Sequence, residues 1–225
     1  MNVRVLFSIA VNKVRQEGPV AAFTKFVKYL RIGKDDKSFD TRFGVDTGGP
    51  VPIWRMKIGS ENAKYGVLYQ PTPEGDLKSA VLFLGIDTKR FTFVDLGCGK
   101  GRTLVIASQL GFSKVIGVEF APELGEVARS NLAKLAIGNA SVVDGDAARF
   151  SIPDEDIVVY MFNPFGKEVM DPVVNNLRRH SAGDLYIIYN EPKCADSLDT
   201  SGFLQKLGNV PGRPSIRLWR AMPHS

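Results

Sequence analysis

Apolar residues gather along this chain in short continuous runs set between stretches with helical spacing. The runs within Phe93–Leu96, Lys114–Phe120, Ser141–Ala147, Asp156–Phe162 and Asp184–Asn190 have the length and the valine, isoleucine and aromatic content of buried strands. Upstream, Leu77, Ala80, Val81 and Leu84 recur on one helical face as far as Gly85, with Thr72 placed as N-cap and Pro73 as first helical residue. A further helix is expected to open at Asp171 and Pro172 and to leave His180 near its end as a surface cation. The last run, Ser215–Ala221, alternates apolar and polar positions and predicts a half-exposed strand. Strands interleaved with helices predict an α/β domain around a mostly parallel sheet.

The amino-terminal part differs. Val3, Phe7, Ala10, Val11 and Val14 keep helical spacing, as do Phe23, Phe26, Val27 and Leu30, with Gln16-Glu17-Gly18-Pro19 as the break. Seven basic residues against the single acid Glu17 give residues 1–34 a charge of +6 in a chain whose total is +5. Two amphipathic helices with basic outer faces follow, read as a cap that packs on the domain. Such a face also suits an acidic partner or an anionic surface. From Gly33 to about Gln70 the chain is rich in Gly, Asp and Pro, and a loop this long inside a compact domain is usually functional or disordered. The chain divides accordingly into a cap with its loop, 1–59, and a domain, 60–225.

At 225 residues, 44% hydrophobic and 24% charged, the chain can bury a full core without staples. Two cysteines form no disulfide framework and fit a reducing compartment, so a cytoplasmic location is expected. The acid-free first fifteen residues would also suit a mitochondrial presequence. Two histidines, far apart, predict no metal site, and no apolar run reaches membrane-spanning length.

The chemistry gathers around Asp95-Leu96-Gly97-Cys98-Gly99-Lys100-Gly101-Arg102, where a strand breaks into a glycine turn and opens a helix. That is where an α/β sheet holds a nucleotide-like cofactor. Dinucleotide binding needs a small residue where this chain has Arg102, which argues against NAD and FAD. Glu119 follows Gly101 by eighteen residues, near the interval at which a strand-end acid meets a ribose. With Asp95 in the strand, the run resembles motif I of the class I S-adenosylmethionine (SAM) dependent methyltransferases. The resemblance implies a Rossmann-like, seven-stranded, mostly parallel sheet closed by an antiparallel strand at Ser215–Ala221, with SAM as cofactor and S-adenosylhomocysteine as product. It assigns Gly97, Gly99 and Gly101 to the cofactor's close approach, Glu119 to the ribose and Asp146 to the adenine amino group, with Asp144 as a competitor. Tyr65-Gly66-Val67-Leu68-Tyr69 ahead of the helix at Thr72 is similar to the loop of the histone lysine methyltransferases that lack a SET domain, and of their small prokaryotic and mitochondrial relatives. There the loop folds over SAM, which implicates Tyr65, Tyr69 and Thr72.

Asn163-Pro164-Phe165 stands where amino-group methyltransferases carry their strand-four motif. Methyl transfer needs a nitrogen lone pair aimed at the methyl, so positioning dominates. The Asn163 side chain and a neighbouring main-chain carbonyl can accept N–H bonds from the amine, beside the cofactor, and Phe165 can offer a π-face to the developing charge. The reading is a SAM-dependent N-methyltransferase acting on a protein lysine. Small-molecule or nucleic-acid acceptors on the same site stay open, as does a non-catalytic SAM-binding adaptor.

Overall fold

The computed structural model describes residues 37–49 and 69–223. Seven strands form one sheet: β1 (Thr92–Leu96), β2 (Lys114–Glu119), β3 (Ala140–Asp144), β4 (Ile157–Phe162), β5 (Leu185–Asn190), β6 (Leu204–Val210) and β7 (Arg213–Ala221). Their order is β3-β2-β1-β4-β5-β7-β6. The first five run parallel, and β7 lies antiparallel to both β5 and β6. Strand order reverses between β1 and β4, and the crevice beyond their carboxyl ends is where such a sheet takes a ligand.

Helices cover both faces because the central strands are apolar on both. Phe93, Val115, Val158, Tyr160 and Ile188 face α1 (Glu74–Leu84), α2 (Arg102–Gln109) and α3 (Pro122–Lys134). Their neighbours Val94, Ile116, Val159 and Ile187 face α4 (Lys167–Leu177) and α5 (Ala195–Asp199). The period of two thus sorts one run of apolar residues into two cores. Residues 37–43 are also helical, and Phe39 packs into the first of these cores.

Three local expectations are corrected. α1 begins at Glu74 with Pro73 as its N-cap, and Thr72 does not cap it. The Thr72 hydroxyl instead shares a buried hydrogen bond of 2.9 Å with the Tyr160 hydroxyl. α4 starts at Lys167 and carries Pro172 in its interior. Five buried side chains on its inner face, Val169, Met170, Val173, Val174 and Leu177, each stabilise by about 1.5–3 kcal/mol, which outweighs the cost of an interior proline, about 3 kcal/mol. His180 is buried rather than on the surface, 7% exposed, with Nε2 2.7 Å from the Glu155 carbonyl. The turn carrying it folds against the start of β4, where the Asp154 carboxylate accepts from the Ser181 and Ala182 amides. Tyr65 and the basic helices of residues 1–34 lie outside the described residues, and the boundary placed between 59 and 60 does too.

β2 and α2 approach each other closely at Gly117. A methyl group there would lie 2.6 Å from Cys98 Sγ and 2.7 Å from Leu104 Cδ1, both in the core. Gly117→Ala is therefore expected to destabilise by about 1–3 kcal/mol, the usual cost of overpacking. Urea unfolding should show a lower midpoint at unchanged slope, and an unshifted midpoint would show that this contact has slack.

Candidate active site

The site is built on the turn after β1. Gly97, Gly99 and Gly101 take φ of 101°, 54° and 82°, a left-handed region that favours glycine. The turn is fastened to β2. Gly97 and Cys98 donate to the Val118 carbonyl, and Gly99 donates to Glu119 Oε2 at 2.8 Å. The other Glu119 oxygen accepts from Ala121 at 2.9 Å, at the start of α3. Burial pushes the Glu119 carboxyl up, against the backbone N–H groups of Ala121, Gly99 and Phe120 that draw it down. A carboxylate has about four acceptor positions, so Glu119 keeps capacity for further donors.

Asp95 lies at the end of β1, 2% exposed, and accepts a hydrogen bond from the Thr103 hydroxyl in α2. Burial raises its pKa to about 7, with the Thr103 bond working against this and the Glu119 charge adding to it.

Above these groups lies an open cleft, with about 630 Å³ of empty space counting the part continuous with solvent. Of the residues singled out by sequence, Tyr69, Thr72, Asp95, Gly97, Glu119, Asn163 and Pro164 line it. Gly99 lies under the Tyr69 ring, so close that a methyl group on it would fall 2.1 Å from Tyr69 Cε2. Asn163, just past β4, has φ 39°, uncommon outside glycine but more accessible to asparagine than to most residues. Pro164 packs over Gly97, where a methyl group would meet its Cβ at 2.8 Å.

The structure does not bring Phe165 or Asp146 to the cleft. Phe165 is buried in the core on the α4 side, and Phe162 lines the cleft instead. β3 ends at Asp144, whose two oxygens hold Arg129 at 3.0 Å, while Asp146 Oδ1 accepts from the Ala148 amide. Sequence reading also missed Arg102, Thr103, Leu124 and Tyr160 as lining residues. Arg102 had a signal, as a long charged side chain where a turn of this kind admits a small one. Tyr160 had none, being one aromatic in an apolar strand. Burial pushes its hydroxyl well above the usual tyrosine range, against the hydrogen bond with Thr72 that draws it down. It is therefore a neutral phenol.

Residues 93–182 match a family model described as a methyltransferase domain. A protein-lysine N-methyltransferase of Saccharolobus islandicus is 29% identical over 108 residues, which span 47% of this chain and 66% of that protein. An uncharacterised protein of Methanocaldococcus jannaschii is 35% identical over 71 residues, 31% of this chain and 32% of that one. The chain thus spans just under two thirds of the first relative and about a third of the second. Among solved structures, a ribosomal protein L11 methylase of Lactobacillus delbrueckii superposes with a TM-score of 0.52 at 20% identity, covering 67% of this chain and 80% of its own. The matched segment, residues 93–182, is thus similar to a methyltransferase domain, and the superposition gives the sheet the class I methyltransferase fold, for which SAM is the cofactor. The cleft fits it: buried carboxylates at Asp95 and Glu119 suit a polar, cationic ligand, and Ala121, Leu124 and Phe162 supply apolar wall.

Asp95 makes the ligand-free protein sensitive to pH. An unfolded aspartate ionises near pH 3.9, whereas the folded one holds its proton until about 7. Between these values the folded state binds more protons, so its stability falls as pH rises, by up to about 4 kcal/mol in all. Asp95→Asn, neutral and still able to accept from Thr103, is expected to raise the melting temperature more at pH 8 than at pH 4.5. An equal shift at both would show that Asp95 does not titrate in this window.

Proposed function

We propose that this SAM-dependent methyltransferase domain transfers its methyl group to an acceptor nitrogen, the side-chain amine of a protein lysine. The observation that carries the reading is Asn163, held at φ 39° on the wall of the cleft and followed by a proline packed on the glycine turn. Sparsely populated backbone of this kind persists where surrounding packing over-determines it, and it clusters at functional sites. When bound, SAM supplies an electrophilic methyl on a sulfonium. Gly97, Gly99 and Gly101 let the backbone come close to the cofactor, Glu119 accepts from the ribose hydroxyls, and Asp95 favours the cationic methionine end.

Asn163 accepts an N–H bond from the amine and turns its lone pair toward the methyl. That oxygen and a neighbouring main-chain carbonyl also favour the positive charge that grows on nitrogen. Phe162, rather than Phe165, offers the π-face. The described lining residues include no histidine or lysine, and an amine that reaches the site neutral already carries the lone pair the reaction needs. The lysine acceptor is supported by the name of the Saccharolobus islandicus relative.

Two variants separate acceptor handling from cofactor binding. Asn163→Gly tolerates the positive φ and removes the amide, so SAM affinity should stay within about threefold while single-turnover transfer slows by about a hundredfold or more. Near-normal transfer would reject the role of Asn163. Glu119→Ala should instead weaken SAM binding by about ten- to a hundredfold, as expected for loss of a charged hydrogen-bond partner. Labelled methyl from SAM should be recovered from hydrolysed protein as methyl-lysine, and label found only in nucleic acid or small molecules would overturn the proposed acceptor.

A further inference from the structure

We infer that residues 40–48 form a support behind the cofactor site, with Thr47 as the positioning residue that holds Tyr69 and Arg102 on the glycine turn. None of residues 40–48 lines the cleft, and all of them lie outside the segment 93–182 that matches the family model, whereas Tyr69 and Arg102 do line it. Yet this strap is bonded to the turn from three directions. The Tyr69 hydroxyl donates to the Thr47 carbonyl at 2.7 Å, which fixes the ring that lies over Gly99. Arg102 Nε donates to Thr47 Oγ1 at 2.7 Å, and that hydroxyl in turn donates to Asp40 Oδ1. On the far side, the Asn131 side chain in α3 donates to the carbonyls of both Asp46 and Lys100, at 2.8 and 3.0 Å, while Lys100 Nζ reaches Asp46 and the Gly48 carbonyl.

The strap is preorganised for this. The Asp40 carboxylate accepts from the backbone amides of Thr47 and Gly48 and so ties the segment after the helix back onto it. Its charge also offsets the Arg102 guanidinium, which is 2% exposed and stacks 4.7 Å above the Phe39 ring. Thr47 is fully buried, and its hydroxyl both donates to Asp40 and accepts from Arg102. A change there therefore has no solvent to fall back on, and it reaches the cleft through the two lining residues that Thr47 holds.

The inference rests on the reading that the cleft binds SAM, and equilibrium dialysis with labelled SAM tests both. Thr47→Val keeps the shape and loses both hydroxyl bonds, so its dissociation constant for SAM should rise about tenfold, while Thr47→Ser should stay within about twofold of wild type. Tyr69→Phe removes one hydroxyl and should weaken SAM binding about fivefold with the KM for the acceptor unchanged, while the melting temperature of the ligand-free protein falls by the few degrees that loss of one hydrogen bond brings. Wild-type affinity in a folded Thr47→Val protein, or a Thr47→Ser variant that recovers stability but not affinity, would overturn the role of Thr47. Should Thr47→Val fail to fold, Tyr69→Phe decides alone, and unchanged SAM binding there overturns the inference. Failure of the wild-type chain to bind SAM would overturn the cofactor reading and the inference with it.

Discussion

The Glu119 carboxylate accepts backbone N–H bonds through both oxygens, from Gly99 and from Ala121. One side chain at the end of β2 thereby ties the turn after β1 to the start of α3. Without it the turn would keep its bonds to the Val118 carbonyl but Gly99, free in φ, would lose the partner of its own amide. Leaving those amides buried and unbonded would cost about 1–3 kcal/mol each. The same carboxylate has acceptor capacity to spare on the cleft side, so the group that shapes the turn is also the one that meets a ligand. Asp95 sits close enough to sense its charge. Two buried acids at the ends of adjacent strands are costly in a ligand-free protein and become favourable when a cation shares the site.

The central sheet was legible because its strands are buried on both faces. A run such as Ile157–Phe162 needs no partner to be recognised, and α1 could be placed from Leu77, Ala80 and Val81. β6 escaped sequence reading because Leu204–Val210 is an edge strand with mostly exposed residues and two register shifts against β7. α5 escaped because five residues carry no helical period. The start of α4 was misplaced because Pro172 reads as an N-terminal signal, whereas an apolar face beginning one turn earlier decides the matter.

At the site, the turn and the acids at the ends of β1 and β2 were legible because backbone geometry restricts which residues can stand there. Phe165 was assigned to the cleft from its place in a motif, and burial on the opposite face of the sheet removes it. Spacing along a strand end does not say which side a side chain takes once the strand has stopped and φ turns positive, as it does at Asn163. Contacts made across long separations, such as Arg102 with Thr47, leave no local trace at all.

The strap has a consequence for the order in which the molecule can assemble. Asp46 and its partner Asn131 are 85 residues apart in the chain. On the ribosome, at about 5–20 residues per second, the strap emerges about 4–17 s before its clamp exists. Synthesised early and docked late, it waits through the formation of β1, α2, β2 and most of α3. Closing so long a loop adds an entropic cost that grows only slowly with length, so the delay is kinetic rather than a large penalty on the finished fold. A nascent chain carries its glycine turn for seconds before the support behind that turn is in place.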